Sequence, residues 1–140
     1  METSNTFWLG VIASDKVFFK GRCQKLVVPL ADGEKAVLPH HEDMVIAIAP
    51  GEMRLLTETG ELIHAAVGSG LVQIMNNRVS LLVDTAERPE DIDRRRAEEA
   101  KERAEEQLRQ GRSMTEHSHF EASLARSLAR LRVRDKYYNI

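Results

Sequence analysis

A change of composition near Asp84 constrains this chain more than any other feature of its sequence. Seven of the eight glycines precede Asp84, while the 57 residues from Asp84 onward hold 13 basic and 13 acidic side chains against 7 and 9 before it. Apolar sequence punctuated by glycine and dense, compensating charge belong to different folding regimes. The chain is therefore expected to join two architectures, a β domain over residues 1–86 and a helical region over residues 87–140.

The hydrophobic fraction of 42% in 140 residues is enough for one real core. A net charge of −2 gives no general attraction to nucleic acid or to anionic lipid. The single cysteine, Cys23, rules out an internal disulfide framework and fits a reducing compartment. No apolar run approaches the ~20 residues needed to cross a bilayer. The first six residues also lack the basic start and apolar stretch of a signal peptide. A soluble protein, or at most a peripheral one, is expected.

Short runs rich in β-branched and aromatic residues fill the first part: residues 7–12, 16–20, 24–30, 35–38, 44–49, 53–58, 62–67, 71–75 and 79–84. The breaks between them carry turn chemistry, with Asp32-Gly33, Pro50-Gly51, Thr59-Gly60 and Asn76-Asn77. About nine strands at this spacing predict an antiparallel β-sandwich. Adjacent apolar pairs such as Val27-Val28 and Leu55-Leu56 interrupt the alternation, so some strands bury both faces or meet a partner.

One loop has metal-binding residue types: His40 and His41 stand beside Glu42 and Asp43, with His64 elsewhere in the sheet. Adjacent residues of a strand point to opposite faces, which is poor spacing for a shared ion. The loop reads as polar and exposed, and a metal hydrolase around His40, His41 and Asp43 is the enzyme alternative. No Gly-x-Ser-x-Gly, P-loop or Cys-x-x-Cys pattern occurs. No catalytic residue, metal or required cofactor is assigned.

After Thr85, Pro89 suits a first helical turn, and Glu90, Asp91 and Asp93 set negative charge at its positive end. Ile92, Arg96, Ala100, Ala104 and Leu108 then recur every four residues beside Ala97, giving a narrow face of mostly small side chains. Gly111 ends this helix, and residues 112–119 form the connection. Ser118-x-x-Glu121 matches a capping box before the stripe Phe120, Leu124, Leu128 and Leu131. The two stripes predict an antiparallel two-helix hairpin following the sandwich. With so little area to bury, the hairpin is expected to be marginal alone and able to open.

Several blocks, in this order, resemble one family: PLADGEKAVLPHHE, AIAPGEMRL, AAVGSGLVQIMNNRVSLLVDTAERPEDID, RRRAEEAKERAEEQL and LARSLARLRV. The chain resembles the epsilon subunit of the rotary ATP synthase of bacteria and chloroplasts, over nearly its whole length. The resemblance implies a noncatalytic central-stalk subunit. Its sandwich would contact the gamma subunit and the c-ring, and its hairpin would extend toward the catalytic alpha and beta subunits to inhibit ATP hydrolysis. It also implies a peripheral place on the cytoplasmic face of the bacterial plasma membrane, with membrane association only through the complex.

In some members of that family the folded hairpin binds a regulatory ATP through Ile/Leu-Asp-x-x-Arg-Ala. Residues Ile92, Asp93, Arg96 and Ala97 match it, and Glu87, Arg103, Arg126 and Arg130 are the further contacts implied. A stand-alone nucleotide-sensing module is the alternative. The ring-facing loop would carry Glu34 and His41, although His40 precedes His41 where the family has glycine, and Glu42-Asp43 follows where it has alanine-proline. Arg126, Arg130, Arg132 and Arg134 would meet acidic surfaces of the catalytic subunits when the hairpin extends.

Overall fold

The computed structural model describes residues 5–111 and 113–138. Nine strands form first: β1 (Phe7–Ile12), β2 (Val17–Leu30), β3 (Gly33–Val37), β4 (Met44–Ile48), β5 (Gly51–Thr57), β6 (Leu62–Val67), β7 (Gly70–Met75), β8 (Arg78–Val83) and β9 (Ala86–Glu87). Helices α1 (Arg94–Arg109) and α2 (Met114–Tyr137) follow.

The strand order is β4-β7-β8-β1-β2-β5-β6-β9, with β3 on β2. Residues 16–20 and 24–30, expected as two strands, are one 14-residue strand. The first part of β2 pairs with β1, and its second part with β3 and β5. One strand thus passes from one layer to the other, and a short polar interval in the sequence does not break a ladder that has partners on both sides. The ladders are antiparallel except β1 with β8, which run parallel.

Between the layers lies one continuous core, including Phe7, Leu9, Leu26, Val28, Met53, Leu55, Ile74 and Leu81. Alternation of inward apolar and outward side chains is clean on β5, β7 and β8. Asn76 and Asn77 both take positive φ, 51° and 60°, and close the β7–β8 hairpin as their side chains permit. Gly70 lets β7 come close to β8, since a Cβ there would stand 1.9 Å from the Leu82 carbonyl oxygen. Cys23 belongs to the core, and burial, with a smaller contribution from Glu58, pushes its thiol up to about 12. It is an inert packing group.

The helical region departs from expectation at both starts. Pro89 opens a separate 3-10 turn, Pro89–Asp91, and Ile92 is extended. The helix begins at Arg94, with Asp93 as its N-cap accepting from the Arg96 amide at 3.1 Å. Arg96 is consequently exposed rather than on the packed stripe, which runs through Ala97 and Ala104. The second helix starts at Met114, four residues before the expected cap at Ser118. Its N-cap is Ser113, whose hydroxyl accepts from the Glu116 amide. Ser113-x-x-Glu116 is itself a capping-box pattern, and it prevails because it lies right after the turn at Gly111, φ 62°.

On the exposed face of α1, Glu99 pairs with Arg95, and Glu106 with Arg109. These pairs are exposed and screened by solvent, so they add little to the stability of the hairpin. Arg94 pairs with Asp135 at 2.8 Å, which brings the start of α1 to the end of α2 and fixes the hairpin as antiparallel. The hairpin sits on the sandwich through a small apolar cluster of Ala66, Ile92 and Val133, flanked by Tyr137. No helix among the described residues is long and apolar enough to cross a membrane.

Candidate functional site

A cleft of about 370 Å³ opens where the β1–β2 turn, β9 and the two helices meet. Asp15 and Lys16 line it from the turn, Ala86 and Glu87 from β9, Ala100 from α1, and Ser123, Arg126, Ser127 and Arg130 from α2. Small side chains at 100, 123 and 127 keep the space open. Glu87 is held in place because its strand pairs with Ala66 on β6. The Arg130 Nη2 donates to Glu87 Oε2 at 3.1 Å, and its Nε lies 2.7 Å from Oε1 at an angle unsuited to a hydrogen bond. Both side chains are about a quarter exposed, so the pair is accessible. A wider groove of about 730 Å³ runs on between the helices past Arg103 and Phe120, with Ala100 and Ser123 lining both spaces.

The expected nucleotide residues fall into two groups. Glu87, Arg126 and Arg130, far apart in sequence, converge on the cleft, and Arg103 lines the adjoining groove. The Ile92 to Ala97 segment lies outside it and is structurally committed. Ile92 is buried against the sandwich, Asp93 caps α1, and Ala97 is fully buried. Arg96 is exposed and does not line either space. Sequence reading missed Asp15, Lys16, Ser123 and Ser127. The turn residues carry no motif and reach the cleft only because β2 folds back, and the serines show only as small residues on a helix.

Glu34 lies exposed on β3, and its carboxylate forks with Arg54 at 2.8 and 3.2 Å. That hydrogen bond, against some desolvation, holds Glu34 below the usual carboxylate range. His41 is half-buried, its Nδ1 2.8 Å from the Glu42 carbonyl oxygen. The loop between β3 and β4 is tied to the β7–β8 turn, since the His40 amide donates to Asn77 Oδ1 and the Asn76 amide to Asp43 Oδ1. His64 is on β6 beside Glu52 and Tyr137, and no group of three or more His, Cys, Asp or Glu poised to hold a metal forms among the described residues. The metal-hydrolase alternative therefore lacks an assembled ligand set.

Residues 6–89 match the model of the ATP synthase Delta/Epsilon chain, beta-sandwich domain, and residues 90–134 that of its long alpha-helix domain. The chain belongs to the ATP synthase epsilon family. It is 41% identical to the ATP synthase epsilon chain of Ruminiclostridium cellulolyticum, covering 90% of this chain and 93% of that one. With the epsilon chain of Caldicellulosiruptor bescii it shares 37%, covering 93% and 94%. The fold also matches a chain in the cryo-EM structure of the Euglena gracilis mitochondrial ATP synthase, OSCP/F1/c-ring, with a TM-score of 0.73, 21% identity and coverage of 86% and 76%.

Within this epsilon chain the remaining arginines of α2 take different surroundings. Arg126 is half-buried at the cleft and Arg132 exposed. The Arg134 guanidinium sits over the Tyr138 ring at 4.4 Å, with Nε and Nη1 buried and without a hydrogen-bond partner among the described residues. With the hairpin folded, most of this basic face is thus turned toward the chain itself.

Proposed function

We propose that this epsilon chain is a noncatalytic rotor subunit that couples c-ring rotation to the catalytic hexamer, and that its hairpin inhibits ATP hydrolysis when it leaves the sandwich. In this reading a regulatory ATP occupies the cleft and favours the folded hairpin. The observation that carries it is the cleft itself, whose walls come from both the sandwich and the hairpin. Glu87 and Lys16 face Arg126 and Arg130 only while the hairpin is docked. A ligand that needs both walls stabilises docking by mass action, by about 2.7 kcal/mol at a hundredfold excess over its dissociation constant. Arginine forks suit its phosphates, and undocking would free Arg126, Arg130 and Arg134 for acidic surfaces of the catalytic subunits.

The outer face of the sandwich supports a rotor partner. Ladder register sets Ala47, Leu71, Leu82, Ile12 and Val17 in one row across five strands. Leu71, Leu82 and Val17 are exposed, as is Val45 on the same face. A contiguous apolar row on a sheet face is the kind of surface a stable partner covers, here the gamma subunit. Glu34 and His41 would meet the c-ring.

Deleting residues 88–140 is expected to leave a sandwich that binds gamma and to raise ATP hydrolysis by the assembled enzyme; unchanged hydrolysis removes the inhibitory role. Calorimetry of the isolated chain should show ATP binding that Arg126→Ala and Arg130→Ala weaken at least tenfold and the exposed-site variant Arg95→Ala does not. Absence of heat at millimolar ATP removes the nucleotide and leaves the rotor role standing.

A further inference from the structure

On the same sheet face as Glu87 and two strands away, the last turn of α2 rests on one carboxylate. Glu52 of β5 has a side chain only 10% exposed. The Tyr137 hydroxyl donates to its Oε2, and the Lys136 ammonium donates to its Oε1 at 3.3 Å. The Tyr137 ring stacks on the His64 imidazole with centroids 3.7 Å apart. Two groups of the sheet also approach Glu52: His64 Nδ1 at 3.4 Å and Arg54 Nη1 at 3.5 Å. That same Nη1 stands 2.8 Å from Glu34 Oε2. One arginine nitrogen therefore faces two carboxylates, one under the helix end and one on the open edge of β3.

We propose that Arg54 is an exchange partner between Glu34 and Glu52, so that the state of Glu34 sets how firmly the last turn of α2 is held. Undocking breaks the hydrogen bonds that Tyr137 and Lys136 make to Glu52, and this cost opposes release of the hairpin. Arg54 removes that cost, because closing from 3.5 Å to hydrogen-bond distance replaces Tyr137 and Lys136 with a partner already in the sheet. The replacement is worth more with the hairpin open, since both Glu52 oxygens are already engaged when it is docked. Whatever cationic group takes Glu34 frees Arg54 for Glu52 and shifts the balance toward release. Reciprocity then requires release to loosen Arg54 from Glu34. The device needs only the docked hairpin and no nucleotide, so it stands or fails separately from ATP binding.

The test is hydrogen–deuterium exchange on the full chain, followed over residues 128–138. Glu34→Gln is expected to speed exchange there about threefold or more, and Arg54→Met to slow it, while β7 and β8 keep their rates. On the Arg54→Met background, Glu34→Gln should add nothing. Arg54→Gln substitutes for the methionine variant if that one folds poorly. The coupling is overturned if Glu34→Gln leaves exchange unchanged, if it accelerates exchange equally without Arg54, or if removing Arg54 speeds exchange as loss of a merely structural contact would.

Discussion

The sandwich closes over Phe7, Leu9, Leu26, Met53, Leu55 and Leu81, whereas the two helices close on each other over Ala97, Ala104, Ser127 and Ala129. A fully buried large aliphatic side chain contributes about 1.5–3 kcal/mol, and an alanine methyl a fraction of that. The hairpin therefore depends on its seat on the sheet, through Ile92, Val133, Tyr137 and the pairs Arg130–Glu87 and Lys136–Glu52. The sandwich does not depend on the hairpin in the same way, because its core is complete without it. Unequal burial gives one chain a stable platform and an element that can leave it.

The largest effect should come from the platform. Leu81→Ala opens a cavity in the sandwich core and is expected to cost about 2–5 kcal/mol of global stability, read as one urea transition in which sheet and helix signals fall together. A substitution in the hairpin should separate them. Ala97→Leu forces bulk between α1 and its partners and is expected to cost about 1–3 kcal/mol, with exchange rising in the helices and the sandwich midpoint unchanged. Loss of the helix cap in Asp93→Ala should cost about 1 kcal/mol, seen as faster exchange in the first turn of α1. A simultaneous drop in sandwich stability in either hairpin variant would make the two regions one cooperative unit.

The smallest effect is acid release. Burial raises the Glu52 carboxyl, but the Tyr137 hydroxyl, the Lys136 ammonium and Arg54 outweigh it and hold the group below its ordinary value. A group lowered on docking contributes stability above its free value, about pH 4.3 for glutamate, and loses it as pH falls through the docked value. Exchange over residues 128–138 should thus rise as pH falls below the ordinary glutamate range in the native chain, and Glu52→Gln should remove that component.

How far the sequence could be read differs between the regions for the same reason. Strand alternation and turn residues such as Asn76-Asn77 are local and placed nearly all of the sheet. They did not show that residues 17–30 form one strand, because continuity came from partners distant in sequence. Helix starts were off because Pro89 and Ser118 have the right chemistry in the wrong context: Asp93 and Ser113 cap because the chain turns there.

By itself the sequence determined the two architectures, their order, the narrow alanine face and the epsilon family, since composition, periodicity and motif blocks are written locally. Only the tertiary structure decided that Glu87, Arg126 and Arg130 share a cleft with Lys16, while Ile92 and Ala97 pack, Asp93 caps α1 and Arg96 is exposed outside it. It alone set Arg54 between Glu34 and Glu52. Such groupings depend on which strand pairs with which and where a helix lands, and those distances are fixed by burial across the whole chain.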